Sequence, residues 1–265
     1  MKDFLTPILE RTRAENARRR RHAALFAPRE RSPRPDRGEA ALRALRRASG
    51  SPPRVMAELK FRSPSAGQIA EWAPGEGVRI ARAYERGGAA VVSVLADGPG
   101  FGGSVLQVRR VASAVSLPVL FKGFVLDPVQ VELAFDVGAS LVLLLVRALE
   151  ASELRELVSA IHELGMQPVV EAANRDEVKR ALDTGASIVG VNARNLQTFQ
   201  VDTDAAALCM EEIPSDRVAV FMSGVRSAAD FRNVARGRAD AVLIGEGLMR
   251  CPDPAKRLAE FLRAP

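Results

Sequence analysis

Eight short apolar runs, each followed by a segment of helical period, limit this chain to very few architectures. The runs are Val55–Leu59, Ala90–Leu95, Pro118–Phe121, Leu141–Val146, Gln167–Glu171, Ile188–Asn192, Val218–Met222 and Ala241–Ile244. They are rich in Val, Ile and Leu and hardly alternate with polar residues, the pattern of strands buried on both faces. Amphipathic segments follow them around Val78–Arg86, Ser104–Val115, Pro128–Phe135, Ala151–Leu164, Arg175–Asp183, Thr203–Glu211, Ser227–Ala235 and Pro254–Leu262. Gly-Ala turns at Gly88-Ala89, Gly138-Ala139 and Gly185-Ala186 precede three of the runs. Eight βα units of about 25 residues predict an α/β fold of the (β/α)8, or TIM barrel, type. A doubly wound open sheet is the rival and suits that number and length of units less well.

Ahead of the barrel, residues 1–54 read as a helical extension, and residues 55–265 complete a single domain. Residues 3–25 predict an Arg-rich helix with Leu5, Ile8 and Leu9 on one face. Pro28, Pro33 and Pro35 mark Ala27–Asp36 as a loop, a second helix is expected over Glu39–Ala48, and Gly50-Ser51-Pro52-Pro53 breaks it.

The net charge of +6 and pI of about 10 invite a nucleic-acid reading. The distribution argues against it. Residues 1–55 hold 15 basic and 6 acidic residues, a net of +9, and residues 56–265 hold 23 and 26, a net of −3. Arg18–Arg21 with His22 has no interleaved aromatics, so it reads as a solvated helix face. The longest apolar stretch, Ala139–Val146, is too short for a membrane span. The charged N-terminus does not resemble a signal peptide. With only Cys209, Cys251, His22 and His162, neither a disulfide framework nor a His-based metal site or triad is expected. A cytoplasmic monomer acting on a small molecule fits best.

A barrel places catalytic groups where strands end, and phosphate sites after strands seven and eight. Those positions hold Glu58, Lys60, Asp97, Lys122, Glu171, Asn192, Arg194, Ser223-Gly224 and Gly245-Glu246. Glu58 and Lys60 are two residues apart, so both face the barrel mouth; an E-x-K pair elsewhere is usually a surface ion pair. Lys122, partly desolvated, suits a general acid, and Glu171, closing an apolar strand, suits proton shuttling. Two Lys and two Glu converging shift one another's pKa values. Arg194 offers a planar fork for a carboxylate. The bare amides at Gly224 and Gly245 suit phosphate, although Gly-rich turns alone say little. Ser63-Pro64-Ser65 reads as a turn.

In order and spacing these segments resemble the indole-3-glycerol phosphate synthase family over nearly the whole chain. The most specific motif is Glu58-x-Lys60-x-x-Ser63-Pro64-Ser65-x-Gly67; Phe101-Gly102-Gly103-Ser104, Lys122-x-Phe124, Val170-Glu171, Gly190-Val191-Asn192-x-Arg194-Asn195-Leu196, Ser223-Gly224-Val225 and Leu243-Ile244-Gly245-Glu246 support it. The resemblance implies a decarboxylating ring closure of 1-(2-carboxyphenylamino)-1-deoxyribulose 5-phosphate, with no metal or organic cofactor. It assigns Lys122 as general acid on the carbonyl. Glu171 and Lys60 serve the later dehydration, and Glu58 orients the lysines. Arg194 and Ser63 hold the carboxylate near Asn192, and Phe101 and Phe124 pack on the ring. Gly224, Gly245 and Glu246 hold phosphate through backbone amides, together with Lys60. Pro64, Leu196, Ser223 and Leu243 complete the expected lining.

Three positions depart from the family pattern. Met222 stands where a Glu is usual, Gly123 where an Asp is usual, and Ala96 where a Thr is usual. They keep two alternatives open: a paralogous enzyme on a related anthranilate or indole precursor, and a non-catalytic phosphosugar-binding protein. The intact Lys and Glu set argues against the second.

Overall fold

The computed structural model describes residues 4–23 and 31–263. Eight parallel strands close a barrel in the order β1-β10-β9-β8-β7-β6-β5-β4. They are β1 (Arg54–Leu59), β4 (Val91–Leu95), β5 (Val119–Lys122), β6 (Leu141–Leu145), β7 (Gln167–Ala172), β8 (Ile188–Asn192), β9 (Val218–Met222) and β10 (Ala241–Ile244). β1 pairs with both β10 and β4, which closes the ring. Each of the eight apolar runs is therefore a barrel strand, with ends that move by a residue at most.

Side chains alternate between two cores, as strand geometry requires. Met56, Val91, Leu120, Leu141, Val169, Ile188, Val218 and Ala241 fill the barrel interior. Val55, Ala57, Val92, Val94, Val142 and Val170 face the surrounding helices. Those helices are α3 (Glu76–Gly87), α4 (Val105–Ala112), α5 (Pro128–Asp136), α6 (Ala151–Glu163), α7 (Arg175–Leu182), α8 (Thr203–Met210), α9 (Ala228–Ala235) and α11 (Pro254–Arg263). Side chains of Ser104, Asp127, Asn174, Asp202 and Ser227 accept bonds from the first-turn amides of α4, α5, α7, α8 and α9, fixing where each helix starts.

Four small elements escaped the sequence pattern. β2 (Arg62–Ser63) and β3 (Gly67–Gln68) form a hairpin just after β1, with Pro64-Ser65-Ala66 as its turn. A 3-10 turn over Val146–Ala148 ends β6 one residue early, and α10 (Glu246–Met249) is a single turn after β10. Units this short carry no periodicity to read.

The N-terminal extension covers both ends of the barrel. α1 spans Leu5–Ala23 of the described residues; the expected last two residues of this helix, and the rest of 24–30 with Pro28, lie outside them. α2 runs over Pro35–Leu45, not Glu39–Ala48. Pro35 opens the helix: its missing N–H is one that a first turn leaves unpaired anyway, and its fixed φ is helical. Ala41 and Leu45 of α2 are fully buried against Met56, Val91 and Leu141, plugging the end where strands begin. α1 crosses the opposite end. Leu5 and Leu9 join Leu145, Phe124 and Leu196. Asn16 Nδ2 donates to Gln130 Oε1 at 2.6 Å, and Arg11 Nη2 meets Asp97 Oδ2 at 2.7 Å.

Candidate active site

The strand ends under α1 gather the acids and bases that the sequence singles out. Glu58 is 1% exposed. Its Oε1 lies 2.7 Å from Lys60 Nζ and its Oε2 3.2 Å from Lys122 Nζ. Burial alone pushes the Glu58 carboxyl up, but the two ammonium groups outweigh it and hold it at about 2. Burial also acts to lower Lys122, yet Glu58 and Glu171 outweigh it and raise its pKa. Lys122 is therefore a firmly held ammonium, stabilised by carboxylates rather than weakened by desolvation.

Glu171, at the end of β7, accepts a hydrogen bond from Asn192 Nδ2 at 2.8 Å. Asn192 Oδ1 in turn accepts from the Arg194 amide at 2.9 Å. Asn192 thus couples Glu171 to the loop after β8. Beside these groups is a cavity whose apolar walls are Leu95, Phe101, Phe124, Leu143, Leu145 and Leu196, with Lys122, Glu171, Asn192 and Asp97 as its polar members. The Phe101 and Phe124 ring centroids are 6.0 Å apart, and Phe4, just before α1, stands edge-on to Phe101 at 6.3 Å. An aromatic ring with charged substituents is the shape and polarity this cavity accepts.

A cationic corner adjoins it at the ends of β9 and β10. A Cβ added at Gly245 would lie 2.6 Å from Glu58 Oε1 and 3.3 Å from Lys60 Nζ, so only glycine lets the ion pair approach this backbone. Ser223 and Gly224 both hold positive φ, 68° and 86°. Such strained turns belong to sites where backbone amides are aimed at a ligand. The Glu246 carboxylate accepts from Arg250 Nε at 3.0 Å while remaining within electrostatic reach of Lys60. Arg226, which sequence reasoning passed over, lies within electrostatic reach of Glu246 and Arg194. Its place two residues beyond Gly224 was the available signal.

Some expected residues lie elsewhere than the cavity wall. Arg194 Nη1 donates to the Phe199 carbonyl at 3.0 Å, which braces its own loop. Burial lowers its pKa, and Arg226 adds to this. The Ser63 hydroxyl accepts from the Ala66 amide at 3.1 Å within the hairpin turn. Pro64 approaches the loop that carries Phe101 from that same turn, which Arg62 ties down by donating to the Pro99 carbonyl at 2.9 Å. Leu243 lies inside the barrel beside Met222, its partner in register.

The three departures resolve into two places. Met222 is 1% exposed and belongs to the barrel interior, in register with Asn192. Ala96 and Gly123 face each other: a Cβ on Gly123 would lie 3.5 Å from that of Ala96. The positions usual for Thr and Asp are thus one location, emptied of polar groups on both sides. Among the described residues, no cluster of three His, Cys, Asp or Glu side chains is arranged to hold a metal, and no helix is long and apolar enough to cross a membrane.

Comparison with known proteins identifies the family. A family model described as indole-3-glycerol phosphate synthase matches residues 6–261. The indole-3-glycerol phosphate synthase of Mycolicibacterium vanbaalenii is 42% identical over 261 residues, 98% of this chain and 94% of that protein. That of Leifsonia xyli is 48% identical over 208 residues, 78% of this chain and 79% of that one. Among solved structures, 3-hexulose-6-phosphate synthase from Salmonella typhimurium superposes with a TM-score of 0.66 at 17% identity, covering 80% of this chain and 97% of that one, a likeness of fold alone.

Proposed function

The chain belongs to the indole-3-glycerol phosphate synthase family, and from that membership we propose that it closes the indole ring of 1-(2-carboxyphenylamino)-1-deoxyribulose 5-phosphate. The products are indole-3-glycerol phosphate, CO2 and water. The observation that carries this reading is Glu58 bridging Lys60 and Lys122 at 2.7 and 3.2 Å beside a cavity walled by Phe101 and Phe124.

The substrate ring lies between the two phenylalanines and its phosphate at the corner of Ser223, Gly224, Gly245 and Lys60. The ring carbon bearing the carboxylate attacks the sugar carbonyl, and Lys122 gives that oxygen its proton as the bond forms. Loss of CO2 restores the ring's electrons. In the dehydration that follows, Lys60 and Glu171 move the two protons, one onto the leaving hydroxyl and one off carbon. Asn192 holds Glu171 in place by its 2.8 Å bond. Glu58 orients both lysines, and its negative charge, with that of Glu171, raises the Lys122 pKa and keeps that ammonium protonated between turnovers. Arg194 and Ser63 hold the loops facing the carboxylate end.

The expected partner is this small phosphorylated molecule, met by a monomer in the cytoplasm. Two of the arginines of α1 are engaged with the barrel: Arg11 pairs with Asp97 at 2.7 Å and Arg20 with Asp127 at 2.8 Å. That arrangement supports a helical cover rather than a nucleic-acid surface.

A paralogous activity on a related anthranilate or indole precursor is favoured by one observation, the apolar Met222 inside the mouth. One assay separates the two. Purified protein is incubated with the carboxyphenylamino-deoxyribulose phosphate and indole fluorescence is followed. Turnover is expected; binding without turnover would sink the synthase reading.

A further inference from the structure

Ser93, the central residue of β4, is fully buried, and its hydroxyl has no hydrogen-bond partner. A buried hydroxyl without a partner costs a fold stability, so its presence calls for an explanation. Its position suggests one. β4 lies between β1 and β5 in the barrel, and Ser93 is in register with Glu58 on one side and Leu120 on the other. Met56 and Val91 face the barrel interior, so Glu58 and Ser93, two residues further along the same strands, face it too. The Glu58–Lys122 contact reaches from β1 to β5 and passes over β4. Ser93 therefore lies beneath the ion pair. Glu58 Oε2, the oxygen of that contact, is itself buried and has no hydrogen bond of good geometry. A spare donor and a spare acceptor thus occupy one row of the barrel. Gln167 Oε1, the remaining such atom among the described residues, lies at the opposite end of the strands.

We propose that Ser93 is a positioning residue for ring closure, its hydroxyl donating to Glu58 as Lys122 passes its proton to the substrate carbonyl. This rests on the general-acid role of Lys122. Before transfer, two ammonium groups balance the buried carboxylate. After it, Lys122 is a neutral amine and Lys60 alone remains. An under-compensated buried charge is costly, and the rise in that cost falls within the transition state. The Ser93 hydroxyl offsets it without exchanging a proton of its own.

Ser93→Ala and Ser93→Thr in the full chain, assayed with the carboxyphenylamino-deoxyribulose phosphate, test this. Ser93→Ala is expected to slow the single-turnover rate about 10- to 100-fold, the worth of a hydrogen bond to a charged group. KM should stay near that of the unaltered protein, because Ser93 lies below the substrate. The basic limb of the pH–rate profile should move to higher pH, since the Glu58 charge then falls on the ammonium groups alone. Ser93→Thr keeps the hydroxyl and should recover most of the rate. An unaltered rate in Ser93→Ala, equal losses in both variants, or a loss with an unmoved basic limb would overturn the proposal. An inactive unaltered protein would instead reject the synthase reading, so the two failures are distinguishable.

Discussion

The Met222 thioether lies against the Cα of Gly190 on the neighbouring strand. A Cβ added at Gly190 would overlap the Met222 methyl and come within 3.0 Å of its sulfur. Methionine in the barrel mouth therefore depends on glycine beside it. Gly190→Ala should lower unfolding stability by about 1–3 kcal/mol through overpacking. Adding Met222→Ala should recover part of that loss in urea titrations; a double variant that loses the full sum would show that the two residues do not interact.

Met222→Glu places a carboxylate in register with Asn192, where the family resemblance leads one to expect it. Turnover should rise if the thioether slows the chemistry, while the melting temperature falls, because the new charge enters an interior shared with Val220 and Leu243. Unchanged or slower turnover, read by indole fluorescence, would mean that the pocket has been retuned around methionine.

Lys122→Ala removes the general acid and one of the two cations on Glu58. Turnover should fall by at least ~100-fold, the usual worth of a positioned proton donor. Retention of the rate in single turnover would refute the assignment of Lys122.

Glu58 supplies a pH dependence. Its carboxyl is depressed from 4.5 to about 2, so the folded state prefers it ionised. That preference contributes stability at pH values above the unfolded pKa, and the contribution is lost as pH falls from about 4.5 towards 2. Glu58→Gln should flatten the loss of unfolding free energy across that window. A slope identical to that of the unaltered protein would show that other carboxylates govern acid unfolding.

Much of this architecture was legible in the chain because its signal is local. A doubly buried strand must be apolar throughout, and a helix on its outer face must repeat at 3.6 residues, so Ile188–Asn192 and Val218–Met222 announce themselves at their observed ends. Pro35 misled, since a proline marks a loop and a helix start equally well until the chain on either side is placed. The hairpin at Arg62–Gln68 and the single turn Glu246–Met249 are too short for any period.

At the site, residue types and spacing named the acids and bases, because a strand's two-residue period fixes which side chains share a face. Spacing could not say that Glu58 spans two lysines or that Asn192 rests on Glu171. Nor could it show that Arg194 turns to Phe199, or that Ala96 and Gly123 empty one location together. The sequence by itself determined the eight βα units, the uneven charge and the chemistry available at the strand ends. Only the tertiary structure decided which groups meet, because strand order and register set β4 between β1 and β5, with the Ser93 hydroxyl beneath an ion pair whose members are 64 residues apart, and closure brings β10 and Gly245 against β1. Contacts made across a ring depend on strand order and register, quantities that no local pattern in a chain encodes.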